Sequence, residues 1–77
     1  MKTKDLENLL LSLGIHKHDF GINEVKNGET WNIMNKDDKW EVFYSSRVRI
    51  GEKFLFESEN DACQFMLNNL KKEFGIK

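Results

Sequence analysis

The chain has 77 residues, with 12 basic and 13 acidic side chains and a formal net charge of -1. This length allows one domain with a small core, and it leaves no room for a second domain or a large enclosed cofactor cavity. The near-neutral charge excludes the overall basic field that nucleic-acid binding favours. We therefore predict a single domain spanning residues 1–77.

The cysteine count and the N-terminal sequence indicate a compartment. Cys63 is the only cysteine, so no internal disulfide can form. Small secreted domains usually depend on disulfides. The apolar run LLLSL near the start is too short for a signal sequence or a membrane span. We expect a cytoplasmic protein that has no contact with a membrane.

The first predicted element is a helix over Lys4–Leu13. Four leucines recur at the spacing of one helical face: Leu6, Leu9, Leu10 and Leu13. Thr3 is a suitable N-cap, and Gly14 suits the left-handed position that commonly ends a helix.

Alternating apolar residues then predict strands, separated from the helix by the polar link HKHD. The predicted strands are Phe20–Lys26, Thr30–Asn35, Lys39–Ser45 and Lys53–Glu57. Asn27-Gly28 favours a hairpin between the first two strands, because both residues accept positive φ. Lys36-Asp37-Asp38 predicts a second turn.

The last predicted helix begins after Ser58, a natural N-cap, with Asp61 three residues on. Its apolar stripe is Cys63, Leu67, Leu70 and Phe74, widened by Ala62 and Met66. Gly75 suits the end of this helix.

These elements predict an α+β fold of order α-β-β-β-β-α, an antiparallel meander sheet of three or four strands with two helices packed on one face. The residues predicted to face the helices are Phe20, Ile22, Trp31, Ile33, Trp40, Val42, Tyr44, Phe54 and Phe56. Alternation then places Met34, Phe43 and Leu55 on the other face. Three apolar residues there form either a partner patch or scattered surface positions.

The residue types predict no catalytic or metal site. His16 and His18 alternate along an extended link, which points them to opposite sides, and no second cluster completes a ligand set. Cys63 lies on the apolar stripe of the last helix, where packing is the expected role. Acidic residues near the second turn are typical of a solvated tip. We expect no enzyme and no cofactor.

The chain contains two arginines, Arg47 and Arg49, and both lie in the loop before the fourth strand, beside Lys53. Arginine is enriched at protein interfaces, and its planar fork suits bidentate pairing with carboxylates. The alternative is local pairing with one of three glutamates: Glu52, Glu57 and Glu59. The sequence leaves both readings open.

Residues 39 to 70 resemble small immunity-type proteins of bacterial polymorphic toxin systems. The resemblance follows WEVFY, an arginine loop and FLFESENDACQFMLNNL. Its anchor residues are Trp40, Tyr44, Arg47, Phe56, Glu59, Ala62, Cys63 and Phe65. Ser46 stands where that family often has glutamate, and VRIG stands where a glycine usually follows the arginine. The resemblance implies a protein that binds and blocks a cognate toxin.

We therefore expect a non-catalytic protein-binding module with a protein partner, a toxin if the resemblance holds. The predicted partner-binding residues are Arg47, Arg49, Lys53, Phe43, Leu55, Glu59 and Asp61. The alternative is a small nucleic-acid-binding module that uses the Arg47–Lys53 loop, since the order of elements also resembles the double-stranded RNA-binding domain. The acidic ESEND at the last helix start opposes phosphate binding. We expect a monomer or a weak homodimer.

Overall fold

The computed structural model describes residues 1–26, 28–46 and 49–76. Its elements are helix α1 (Thr3–Ser12), a short 3-10 turn (Lys17–Asp19), strands β1 (Phe20–Ile22), β2 (Thr30–Lys36), β3 (Lys39–Ser45) and β4 (Ile50–Phe56), and helix α2 (Glu59–Glu73). The four strands form one sheet in the order β1-β2-β3-β4. The predicted α+β class and the predicted order of elements are confirmed.

The central turn of the sheet follows the predicted chemistry. Asp37 and Asp38 form the two-residue connection between β2 and β3, with φ of 52° and 62°. A tight hairpin of this kind needs positive φ at both positions, and short polar side chains tolerate it. β2 pairs antiparallel with β3, and β3 pairs antiparallel with β4. β4 begins at Ile50, three positions before the predicted Lys53.

The first strand contradicts the predicted hairpin. β1 ends at Ile22 rather than Lys26 and runs parallel to β2, with Phe20 opposite Trp31. Asn23 has a φ of 56° and turns the chain, and its N–H donates to the carbonyl oxygen of Ile33 at 2.7 Å. A strand this short needs a return of only about 7 Å, so residues 23–29 suffice as the connection. The predicted turn residue Asn27 lies outside the described residues.

The core lies between the helices and one face of the sheet. Its buried members come from both helices, the link and the strands: Leu6, Leu10, Ile15, Phe20, Ile33, Val42, Ala62, Cys63, Met66, Leu67 and Leu70. Phe65 of α2 packs against Phe54 and Phe56 with tilted rings, whose centroids lie 4.9 Å and 5.2 Å from the Phe65 centroid. α2 lies across β2, β3 and β4, and α1 packs beside α2. The predicted helix-facing set is therefore confirmed.

The helix ends follow the predicted caps with one change. Ser58 Oγ accepts the N–H of Asp61, as expected of an N-cap. Gly14 and Gly75 have φ of 86° and 67°, the left-handed geometry that ends a helix. α1 starts at Thr3, so Lys2 takes the N-cap position predicted for Thr3. Within the described residues, no helix combines the length and apolar character needed to cross a membrane.

Candidate partner surface

The face of the sheet turned away from the helices is only partly open to solvent. Leu55 is 64% exposed, as predicted. Phe43 is 2% exposed, so the prediction that Phe43 lies open on this face is wrong. Lys53 extends over the Phe43 ring, with Nζ 5.2 Å from the ring centroid, and it also pairs with Glu41 at 3.2 Å. The long side chain of Lys53 therefore helps to cover an aromatic residue that alternation alone places outside.

A buried polar network occupies the same face beside β1. Asn32 is fully buried, and its Oδ1 accepts the N–H of Lys26 and the hydroxyl of Thr30, both at 3.3 Å. Its Nδ2 donates to Ser45 Oγ at 2.8 Å and to the Thr30 carbonyl oxygen at 3.3 Å. The β1–β2 connection therefore crosses this face and is fastened to it by the side chain of Asn32. The sequence analysis did not predict that this connection covers part of the outer face.

Gly21 makes the crossing possible. A Cβ at this position would lie 2.3 Å from Asn32 Oδ1 and 2.5 Å from the Glu24 carbonyl oxygen, both far inside contact distance. A glycine within a strand often marks such a close approach of backbone, so FGI contained a signal for the crossing. Glu24 and Lys26 therefore cover the β1 side of the face, whereas Leu55 on the β4 side is open to solvent.

β4 is the exposed border of the sheet. It pairs with β3 on one side and stands last in the strand order, so no strand of the described residues lies on its other side. Residues Ile50 to Lys53 and Leu55 are all exposed, and Ile50 reaches 51%. We name Arg49, Ile50, Lys53 and Leu55 the β4 surface. It holds three of the predicted partner-binding residues and adds Ile50, which sequence reasoning did not select.

Arg49 is exposed, and its backbone position is set by Ser46. The N–H and the hydroxyl of Ser46 both donate to the Arg49 carbonyl oxygen, at 2.9 Å and 3.2 Å. Among the described residues, no carboxylate lies within ion-pair distance of the Arg49 guanidinium. Arg47, the other predicted arginine, lies outside the described residues.

Two of the three glutamates considered as local partners are engaged elsewhere. Glu57 accepts a hydrogen bond from Lys39 Nζ at 2.6 Å, and this bond, together with the lysine charge, lowers the pKa of Glu57. Glu59 Oε2 accepts the N–H of Thr3 at 2.8 Å, at the start of α1. Because a carboxylate at helix N-termini is stabilising, Glu59 serves the contact between α1 and α2. Asp61 is exposed two residues further along, in the same first turn of α2.

Cys63 and the two histidines lie in different environments. Cys63 is fully buried, and burial, followed by the charge of Glu59, raises the pKa of its thiol to about 11. A thiol with this pKa is protonated at neutral pH and is a poor nucleophile. His16 and His18 are exposed at the 3-10 turn. Across the described ranges, no group of three His, Cys, Asp or Glu residues is placed to hold a metal ion.

Two further features were not anticipated from the sequence. Burial is the larger cause of a raised pKa at Glu73, and the nearby charges of Asp19 and Glu29 add to it. Burial also raises the pKa of Tyr44, followed by the charges of Glu73 and Glu29.

A cleft of about 180 Å³ lies between α1 and β1. Its lining combines apolar and charged residues: Glu7, Lys17, Phe20, Ile22, Glu24 and Lys26. Ligand pockets usually exceed about 300 Å³, so this cleft is small for an organic ligand.

No family model, curated protein or solved structure matches this chain.

Proposed function

We propose that this chain is a non-catalytic protein-binding module that holds its partner at the β4 surface and acts by blocking a bacterial toxin. The proposal depends on one observation: Arg49 and Ile50 are neighbours in the chain, and both are exposed. An exposed guanidinium without a carboxylate partner among the described residues lies next to an isoleucine that is 51% exposed.

The chemistry of this pair suits a protein interface. Arginine forms bidentate hydrogen bonds to carboxylates and is weakly hydrated, so transferring it from water into an interface costs less than transferring lysine. An adjacent aliphatic side chain supplies apolar area that becomes buried on contact. The partner surface that fits is one with a carboxylate beside an apolar depression. The resemblance to immunity-type proteins, which includes the arginine loop, supports a toxin as the partner.

The structure lowers the support for the nucleic-acid alternative. Binding of single-stranded nucleic acid through a sheet commonly uses an exposed aromatic side chain on which a base stacks. Phe43, the aromatic residue predicted on the outer face, is 2% exposed and lies beneath Lys53. Glu59 and Asp61 place negative charge at the start of α2, where a phosphate contact would need positive charge.

The test is affinity capture from the source cells, before and after nuclease treatment, read by mass spectrometry. Wild-type protein is compared with Arg49→Glu and with Ile50→Asp. Lys4→Glu is the matched control, because Lys4 is exposed on α1 and undergoes the same change of charge. We expect one stoichiometric protein that survives nuclease, is retained by Lys4→Glu and is lost by at least about tenfold with Arg49→Glu.

Co-expression then tests the toxin assignment. The captured protein, expressed alone, should arrest growth, and wild-type chain should restore growth while Arg49→Glu should not. Capture that disappears with nuclease would instead favour the nucleic-acid module. A captured protein that binds Arg49→Glu as well as wild type would contradict the β4 surface as the contact site.

A further inference from the structure

The free edge of β4 has a specific hydrogen-bonding pattern. The two-residue turn at Asp37 and Asp38 makes Lys36 and Lys39 a hydrogen-bonded pair, and such pairs alternate along an antiparallel ladder. The backbone groups of Trp40 and Val42 therefore face β4. Two hydrogen bonds agree with this alternation. On β2, the Ile33 carbonyl oxygen and the Asn35 N–H both face away from β3 and bond Asn23, the residue that follows β1.

The same alternation continues into β4. Phe56 and Phe54 lie opposite Trp40 and Val42, so their backbone groups bond β3. The N–H and carbonyl groups of Lys53 and Leu55 then face outward, toward the side of β4 that none of the described strands covers. The register shift opposite Tyr44 breaks the ladder before Lys53. A bulge of this kind bends a strand, which confines a regular free edge to the C-terminal half of β4.

The side chains at this edge are complementary to a second copy of themselves. Two copies joined by a two-fold axis pair antiparallel, and outward-facing backbone groups must meet. With Leu55 opposite the partner's Leu55, Lys53 lies opposite the partner's Glu57 and Phe54 lies opposite the partner's Phe56. Glu57 projects on the same face as Lys53, as its bond to Lys39 shows. Each contact is then apolar on apolar or positive on negative.

Neighbouring registers lack this match. A shift that centres the axis on Lys53 opposes two lysines, and one that centres it on Phe54 sets Lys53 against the partner's Leu55. In the register centred on Leu55, the existing ion pairs of Lys53 with Glu41 and of Lys39 with Glu57 join across the axis. On each side of the axis, negative and positive side chains then alternate in a row of four: Glu41, Lys53, the partner's Glu57 and the partner's Lys39. We propose that this chain forms a homodimer through antiparallel pairing of β4 edges, centred on Leu55.

This dimer uses Lys53 and Leu55, two of the four residues of the β4 surface. Arg49 and Ile50, the two residues on which the proposed toxin contact depends, lie outside the paired residues 53–57 of each copy. The contact involves only residues 53–57 of each chain, less than the about 800 Å² per partner of a standard interface. We therefore expect weak, concentration-dependent association.

Sedimentation equilibrium tests the proposal at loading concentrations from about 10 µM to about 1 mM. Wild-type protein should shift from monomer to dimer across this range. Glu57→Lys should weaken association by about tenfold or more, because it places two lysines opposite each other on both sides of the axis. Glu24→Lys is the control: Glu24 is also an exposed acid in a surface ion pair, with Lys26 at 2.8 Å, but it lies outside the sheet edge.

A mixture of charge variants tests the register. Lys53→Glu alone and Glu57→Lys alone should be monomers, and an equimolar mixture should dimerise, because each mixed pair again joins a lysine and a glutamate. Thermal melts are the check that both variants are folded, and Glu57→Lys does not alter either residue of the Lys53–Glu41 pair. Wild type that remains monomeric at the highest concentration overturns the proposal. Dimerisation that is unaffected by Glu57→Lys, or a mixture that stays monomeric, overturns it as well.

Discussion

Replacing Asn32 by aspartate tests whether the outer face of the sheet is closed to water. The substitution keeps the shape of the side chain and exchanges the Nδ2 donor for an oxygen. Nδ2 donates two hydrogen bonds, to Ser45 Oγ and to the Thr30 carbonyl oxygen, each worth about 1 kcal/mol net. The new carboxyl would lie at a fully buried position. Lys26, whose backbone N–H bonds Asn32 Oδ1, has an ammonium group that already pairs with Glu24.

Burial without a cation favours the neutral carboxylic acid, so we expect the folded pKa of Asp at position 32 to rise above its unfolded value of about 3.9. Between these two pKa values the folded state binds more protons than the unfolded state, and stability falls as pH rises. At pH 4 the carboxylic acid still donates one hydrogen bond, and the cost is about 1 kcal/mol. Keeping the group neutral at pH 7 adds up to about 4 kcal/mol, at 1.36 kcal/mol per pH unit.

A chain of this length has a total stability of roughly 4–12 kcal/mol. The Asn32→Asp variant should therefore be folded at pH 4 and be largely destabilised at pH 7. Urea unfolding monitored by tryptophan fluorescence measures the free energy of unfolding at each pH, with wild type at the same pH as the reference. Asn35→Asp is the control, because Asn35 is exposed on the same strand. An equal loss of stability at pH 4 and pH 7 would refute the burial of Asn32 on the outer face.

The remaining predictions concern packing and the thiol. Gly21→Ala should destabilise the fold by about 2 kcal/mol or more, since its Cβ would lie 2.3 Å from Asn32 Oδ1; an unchanged melting temperature would contradict the close approach. Phe43→Ala should cost about 3–5 kcal/mol in urea unfolding and Leu55→Ala under about 0.5 kcal/mol, because their exposed fractions are 2% and 64%; similar losses would contradict the structure. Cys63 should react with iodoacetamide at pH 8 far more slowly in the native than in the urea-unfolded chain, and equal rates would show an accessible thiolate.

Local chemistry accounts for the elements whose prediction was confirmed. Ser58 caps α2, the two aspartates form the β2–β3 turn, and Gly14 and Gly75 end the helices. Each of these depends on residues within one turn of each other, so no distant contact is needed to infer them. The alternation of Trp40, Val42 and Tyr44 placed the helix-facing side of β3 for the same reason.

The contacts of β1 show where local reasoning fails. Phe20–Ile22 reads as a strand, but parallel or antiparallel pairing depends on the path of residues 23–29. That path is held by Asn32, a polar residue of β2, through the N–H of Lys26. No periodic pattern identifies an asparagine that binds a neighbouring connection, because the hydrogen bonds form only after β1 and β2 have met.

The sequence by itself determined the class, the order of helices and strands, the helix-facing side of the sheet and the burial of Cys63. Tertiary structure alone decided that Phe43 is covered, that Glu59 joins the two helices and that Arg49 and Ile50 lie together on an open edge. The physical reason is the range of the interactions. Periodicity and capping act between neighbours in the chain, whereas exposure depends on which distant segment crosses a face, and one crossing connection closed one half of this sheet and left β4 open.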